Sequence, residues 1–145
     1  MRVLITGITG MAGSHLAEYL LAEHPDVAVY GTFRWRSRME NLEPLRRVQK
    51  VDIVEGRFTD GQALRDDKKK GRVTLVYCEL TDPGAVEHVI SAVQPERIFH
   101  LAAQSFVQSS FDEPASSLRI NIESQLTVLE AIRRHDKQIR MHIAG

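Results

Sequence analysis

Gly7, Gly10 and Gly13 recur at G-x-x-G-x-x-G spacing directly after the apolar run Val3-Leu4-Ile5. Glycine allows a tight turn and lets the backbone come close to a ligand. Residues 14–23 then carry Leu16 and Leu20 at i, i+4, which marks one face of a helix. A buried strand, a glycine turn and a helix N-terminus with free N–H groups together offer a seat for a pyrophosphate. A tight structural turn is the alternative, and the flanking strand and helix favour the dinucleotide. Gly7, Thr9, Gly10, Met11, Ala12 and Gly13 are therefore candidate cofactor contacts.

A second group follows the next β-rich segment, residues 27–33. An NAD-specific fold places an acid there, about 20 residues past the glycines, for the ribose 2′-hydroxyl. This chain has no acid at that point; it has Arg34, Arg36 and Arg38, with Ser37 among them. Guanidinium groups match a 2′-phosphate bidentately, so Arg34, Arg36 and Ser37 favour NADP, with NAD the lesser choice. A solvated basic loop accounts for at least one of the arginines. Trp35 has two readings: stacking near the adenine, or, preferred, covering the surface of the helix that follows. Ser37-Arg38-Met39-Glu40 has the form of a capping box, which predicts a short helix starting there, limited or bent by Pro44.

Two near-repeats, residues 51–60 and 73–82, each read as a strand followed by a turn lying over the adenine. The second is followed by Pro83 and by Ala85, Val86, Val89, Ile90 and Val93 at helical spacing, with Asp82 as cap. The third strand is therefore assigned to 73–78, with Glu79 and Leu80 at the adenine. Residues 51–71 are an excursion with room for an extra strand, and Asp66-Asp67-Lys68-Lys69-Lys70-Gly71 is a solvated loop tip. After a fourth strand at 98–101, Leu101, Ala102, Ala103 and Ser105 permit close approach by a cofactor, or simply pack under a helix. Asp112-Glu113-Pro114 opens a long helix ending near His135-Asp136. Leu118, Ile122, Leu126 and Leu129 mark its expected buried face. A fifth strand begins at Ile139.

Strands alternating with helices predict an α/β, Rossmann-type, doubly wound parallel sheet, cut short after about five strands. Residues 1–145 would be one NADP-binding domain. Lys+Arg and Asp+Glu number 19 each, so the net charge of zero gives no global argument for nucleic acid or a membrane surface. No apolar run approaches membrane-spanning length, and no signal peptide is apparent. The single Cys78 excludes an intrachain disulfide and a cysteine-only zinc site, which suits the cytoplasm. The six histidines are scattered, none at i, i+3 or i+4 from another, and no metal site is expected. His100 reads as a hydrogen-bonded structural residue. Ser105, Ser109 and Ser110 could face substrate, but with no base in reach none is a nucleophile.

The glycine motif, the arginine-rich turn, Glu79-Leu80-Thr81-Asp82 and Leu101-Ala102-Ala103-Gln104-Ser105 together resemble the extended short-chain dehydrogenases/reductases, and within them the GDP-mannose 4,6-dehydratase family. The likeness covers nearly the whole chain outside 51–71. It implies that NADP takes hydride from C4 of a nucleotide-bound sugar, that water is lost across C5–C6, and that the hydride returns to C6. It implies GDP-mannose as substrate and a homo-oligomeric full-length enzyme. Such enzymes use a Tyr-x-x-x-Lys pair with a Thr or Ser and a Glu. Tyr19, Tyr30 and Tyr77 are followed four residues on by Glu23, Arg34 and Thr81, so the pair is missing and no catalytic residue is assigned. The chain reads as the amino-terminal part of a longer enzyme, with its substrate domain absent. Met11-Ala12 in place of Gln-Asp, Glu79 in place of Asp and Ser116 in place of Tyr leave a GDP-4-keto-6-deoxymannose reductase or a nucleotide-sugar epimerase open. A non-catalytic nucleotide sensor is the reading from another class.

Overall fold

The computed structural model describes residues 1–54, 65, 69–104, 107–136 and 138–144. Among these, six parallel strands form one sheet in the order β3-β4-β2-β1-β5-β6. They are β1 (Arg2–Thr6), β2 (Ala28–Phe33), β3 (Val51–Val54), β4 (Arg72–Tyr77), β5 (Arg97–His100) and β6 (Arg140–Ile143). The helices are α1 (Met11–Glu23), α2 (Glu43–Arg47), α3 (Pro83–Val93), α4 (Val107–Asp112) and α5 (Pro114–His135), with a 3₁₀ turn at Glu40–Leu42. The strand order reverses direction at β1, which puts a crevice at the carboxyl ends of β1, β2 and β5.

Period-2 alternation divides the core in two. Leu4, Tyr30, Val76 and Ile98 face α3 and α5. Val3, Ile5, Val29, Val73 and Leu75 face α1 and α2. Burial on both faces explains why β1, β2 and β4 read as apolar runs without alternation. Gly31 lies in the middle of β2 because Ile8 packs over it, and a Cβ there would overlap the Ile8 side chain.

The third sheet position, next to β2, belongs to Arg72–Tyr77, as expected. The sheet exceeds the expected five strands because Val51–Val54 joins as an outer strand. Its side chains are half-buried or exposed, whereas Val73, Thr74, Leu75 and Val76 opposite are buried. The Arg72 guanidinium forks onto the Asp52 carboxylate at 2.9 and 2.6 Å, fastening this edge. That hydrogen bonding holds the Asp52 carboxyl below its usual range. The rest of the first near-repeat and most of the charge run lie outside the described residues.

Two local expectations are corrected. Ser37 caps no helix: its Oγ accepts from Arg34 N–H at 2.8 Å, and the 3₁₀ turn starts at Glu40 without a side-chain cap. In α5, Leu118 and Ile122 are 64% and 63% exposed, and Leu126 and Leu129 are exposed too. The buried residues are Ser117, Ser124, Val128, Ala131 and Ile132. At about 100° per residue the two sets lie on roughly opposite faces. The inward set begins with serines because small side chains let this end of the helix approach the turns that follow β4 and β5. By contrast α3 is as expected: Asp82 Oδ1 accepts from Gly84 N–H at 2.9 Å, and Gln94 ends the helix in the left-handed region at φ 47°.

Candidate functional site

Four turns meet at the carboxyl edge of the sheet around a cleft of about 200 Å³. Pockets that enclose a whole ligand are roughly 300–1,000 Å³, so these residues form one wall of a site. The lining includes Gly7, Thr9 and Gly10 from the first turn, and Thr32, Phe33, Arg34 and Ser37 from the second. Cys78, Glu79, Leu80 and Thr81 come from the third turn, and Leu101, Ala102, Ala103 and Gln104 from the fourth. Ile120 and Ser124 of α5 complete it.

The glycine loop is shaped by backbone packing. Gly7 has φ +72°, and a Cβ on it would lie 2.8 Å from Ala102 N. A Cβ on Gly13 would overlap the Gly7 carbonyl and lie 2.7 Å from Ile8 Cα. Gly10 N–H donates to Gly7 C=O at 3.0 Å, closing the turn. No side chain caps α1 and no acid occupies its first turn. The N–H groups of that turn have no partner within the helix and suit an anion. A dinucleotide pyrophosphate fits this cradle, in which any Cβ at Gly7 or Gly13 would collide.

Side chains outside the motifs hold the turns in register. Thr6 Oγ1 accepts from Ala102 N–H at 3.3 Å and lies 2.9 Å from His100 Nδ1. His100 is buried, which lowers its pKa and keeps it neutral; its role is structural. Asn41 Nδ2 donates to Thr9 C=O at 2.9 Å, joining the glycine loop to the 3₁₀ turn. Asn121 Oδ1 accepts from Gln104 N–H at 2.7 Å. Thr127 Oγ1 donates to Leu80 C=O, so α5 holds two of the four turns. Sequence reasoning missed Thr6, Asn41, Asn121 and Thr127. Only Thr6 stood out, as a polar residue ending an apolar strand, and each of the four bonds a turn distant in sequence.

Of the candidate contacts, Gly7, Thr9, Gly10, Arg34, Ser37, Glu79, Leu80, Leu101, Ala102 and Ala103 line the cleft. Met11, Ala12, Gly13 and Arg36 do not. Met11 is 72% exposed, and Gly13 is buried beneath the loop it shapes. Ser105 lies outside the described residues, as does the side chain of Ser109. Ser110 Oγ donates to Val107 C=O within α4, at 2.6 Å. Burial first, then the Glu79 and Asp82 carboxylates, push the Cys78 thiol up to about 12. It is a wall residue and not a nucleophile. Among the described residues no cluster of His, Cys, Asp and Glu could hold a metal, and no helix is long and apolar enough to cross a membrane.

The family model for GDP-mannose 4,6 dehydratase matches residues 4–145. The chain belongs to the GDP-mannose 4,6-dehydratase family. The Drosophila melanogaster GDP-mannose 4,6 dehydratase is 35% identical over 144 residues, which is 98% of this chain and 32% of that protein. The Vibrio cholerae GDP-mannose 4,6-dehydratase is 33% identical, over 91% of this chain and 31% of its own length. This member of the family thus spans about a third of the relatives it matches. Among solved structures, UDP-glucose 4-epimerase from Bifidobacterium longum, in complex with NAD+ and UDP, superposes with a TM-score of 0.74. It is 18% identical and covers 100% of this chain and 37% of its own, a likeness of fold.

Proposed function

We propose that this chain is the NADP-binding portion of a sugar-nucleotide 4,6-dehydratase acting on GDP-mannose. The observation that carries the reading is the convergence of the glycine cradle and the arginine turn on one cleft. The first-turn N–H groups of α1 would hold the pyrophosphate, with Met11, Ala12 and Gly13 contributing backbone. Arg34, Arg36 and Ser37 would take the 2′-phosphate. Glu79 and Leu80 would meet the adenine. Leu101, Ala102, Ala103 and Ser105 would flank the far half of the dinucleotide. The nicotinamide supplies a hydride acceptor and donor when bound. The chain's own part would be to seat the dinucleotide and to orient that ring. The cytoplasm suits a domain whose one cysteine is a free, buried thiol.

Calorimetric titration of NADP and NAD tests the cofactor. NADP should bind more tightly, and Arg34→Asp should weaken NADP at least tenfold while changing NAD little. Equal losses would refute the phosphate clamp. The 145-residue chain should not turn over GDP-mannose, because it lacks the Tyr-x-x-x-Lys pair. Reductase or epimerase activity of the full-length protein would move the assignment within the superfamily, and binding with no turnover would favour the sensor reading.

We infer also that the full-length protein is a homo-oligomer. The exposed stripe Leu118, Ile122, Leu126 and Leu129 runs along one face of α5, and such a face can pair with its own copy across a two-fold axis. Light scattering of the full-length protein should give a multiple of the chain mass, and Ile122→Glu should lower it.

A further inference from the structure

The arginine turn holds a residue that neither the glycine cradle nor the phosphate clamp accounts for. Trp35 is 87% exposed, so it does not cover the helix that follows, as its sequence context suggested. The turn that carries it is closed from both sides. Ser37 N–H donates to Arg34 C=O at 2.9 Å, and Arg34 N–H donates to Ser37 Oγ at 2.8 Å. Arg34 and Ser37 both line the cleft; Trp35 stands between them in the chain, at the rim and not among the lining residues. An indole is the largest apolar surface a residue can offer, and here it is presented to water on a hydrogen-bonded turn.

The rest of the cleft identifies what lies beside this turn. β2 and β4 are adjacent, with Phe33 opposite Tyr77, so the turns leaving them run side by side. The second of these turns carries Glu79, Leu80 and Thr81 into the same cleft. Both turns lie on the β2 side of the glycine loop, whereas Ala102 and Ala103 lie on the β5 side. A dinucleotide whose pyrophosphate sits on the glycine loop therefore has its two halves on opposite sides of β1. The half beside arginines is the one that bears a 2′-phosphate, the adenosine.

We propose that Trp35 is the stacking platform for the adenine, closing the cleft mouth across from Glu79 and Leu80. The arginines take the phosphate charge and the indole takes the π-face of the base, as aromatic side chains do in base recognition. The ring has little packing to give up, and its turn is already formed. This assignment rests on the dinucleotide reading above.

The chain has one tryptophan, so its emission reports on Trp35 alone. The probe is adenosine 2′,5′-bisphosphate, which carries the base and the 2′-phosphate but no nicotinamide to absorb indole emission. Titration should quench the emission, with the same midpoint that calorimetry gives. Trp35→Ala should weaken the probe about tenfold, and Trp35→Phe should restore binding to within about threefold. Inorganic pyrophosphate, which has no base, should bind the Trp35→Ala chain as it binds the parent. The exposed position predicts an unchanged melting temperature for both variants. Absence of calorimetric binding by the parent would overturn the dinucleotide reading itself. Binding with unquenched emission and an unaltered Trp35→Ala affinity would overturn the stacking role alone.

Discussion

The turns at residues 7–13 and 34–37 each send residues into the same cleft, Gly7, Thr9 and Gly10 from the first and Arg34 and Ser37 from the second, under different constraints. In the first, backbone lies against backbone: Gly7 has a positive φ and meets Ala102, and Gly13 lies under the Gly7 carbonyl. In the second, two hydrogen bonds close a turn whose Arg34, Trp35 and Arg36 side chains all stand in water. Sterics fix the first region, so a side chain at Gly7 or Gly13 is excluded. The second presents charge and aromatic surface outward, so its fold tolerates substitution, while the binding proposed for it would not. The contrast predicts that changes in the glycine loop act on stability and binding together, and changes in the basic turn on binding alone.

The largest effect should come from Gly13→Ala. The added methyl meets backbone atoms of Gly7 and Ile8, which cannot swing aside. Overpacking costs about 1–3 kcal/mol, and a backbone obstacle belongs at the upper end. Chemical denaturation should show that loss, with cofactor binding abolished. A Gly13→Ala chain as stable as the parent would mean that the loop is not sterically fixed.

Next in size is Thr6→Val. The hydroxyl serves Ala102 N–H and His100 Nδ1 at once, in a buried position. An isosteric methyl leaves both groups unpaired, at a cost of about 1–3 kcal/mol. Denaturation curves should shift accordingly, and NADP binding should weaken because the Ala102 turn loses its tie to β1. Ser37→Ala is smaller. It removes one exposed hydrogen bond, at the bottom of the range of about 0.5–1.5 kcal/mol. Melting should barely move while NADP affinity falls several-fold, and a matching fall in NAD affinity would deny Ser37 a role at the 2′-phosphate.

The comparison also shows what a reader of the chain can recover. The glycine spacing, the Asp82-Pro83 cap and the apolar runs of β1 and β4 each have a local physical cause, so the central sheet and the cradle were legible. The outer face of α5 was not. Hydrophobic periodicity finds a stripe such as Leu118, Ile122, Leu126 and Leu129, but it cannot say whether sheet or solvent lies beneath. Here small residues face inward because the helix must reach the turns after β4 and β5. Val51–Val54 was half legible: its composition is that of a strand, but its place at the edge comes from pairing with β4, with Asp52 and Arg72 joined across the two strands. The ties made by Asn41, Asn121 and Thr127 join residues far apart in sequence, and no local pattern announces them.

The smallest effect is a pH dependence confined to the glycine-loop side. Burial lowers the His100 pKa from its usual 6.5, with no carboxylate among the causes to oppose the shift. The unfolded chain then binds a proton at a higher pH than the folded one. The stability from keeping His100 neutral is complete above about pH 6.5, and it is lost progressively as the pH falls below that value. In the tautomer whose proton sits on Nε2, Nδ1 accepts from Thr6 Oγ1, and protonation turns it into a donor. Thr6 Oγ1 then has two donors facing it, Ala102 N–H and His100, and its own proton loses its partner. Acid should therefore loosen the end of β1 where the loop begins and leave the 34–37 turn unaffected. Melting temperatures of the parent and His100→Gln, compared from pH 8 to pH 5, isolate this group from the other histidines. The parent should lose more stability on acidification than the variant. Parallel curves would show that His100 gains or loses its proton without touching the loop.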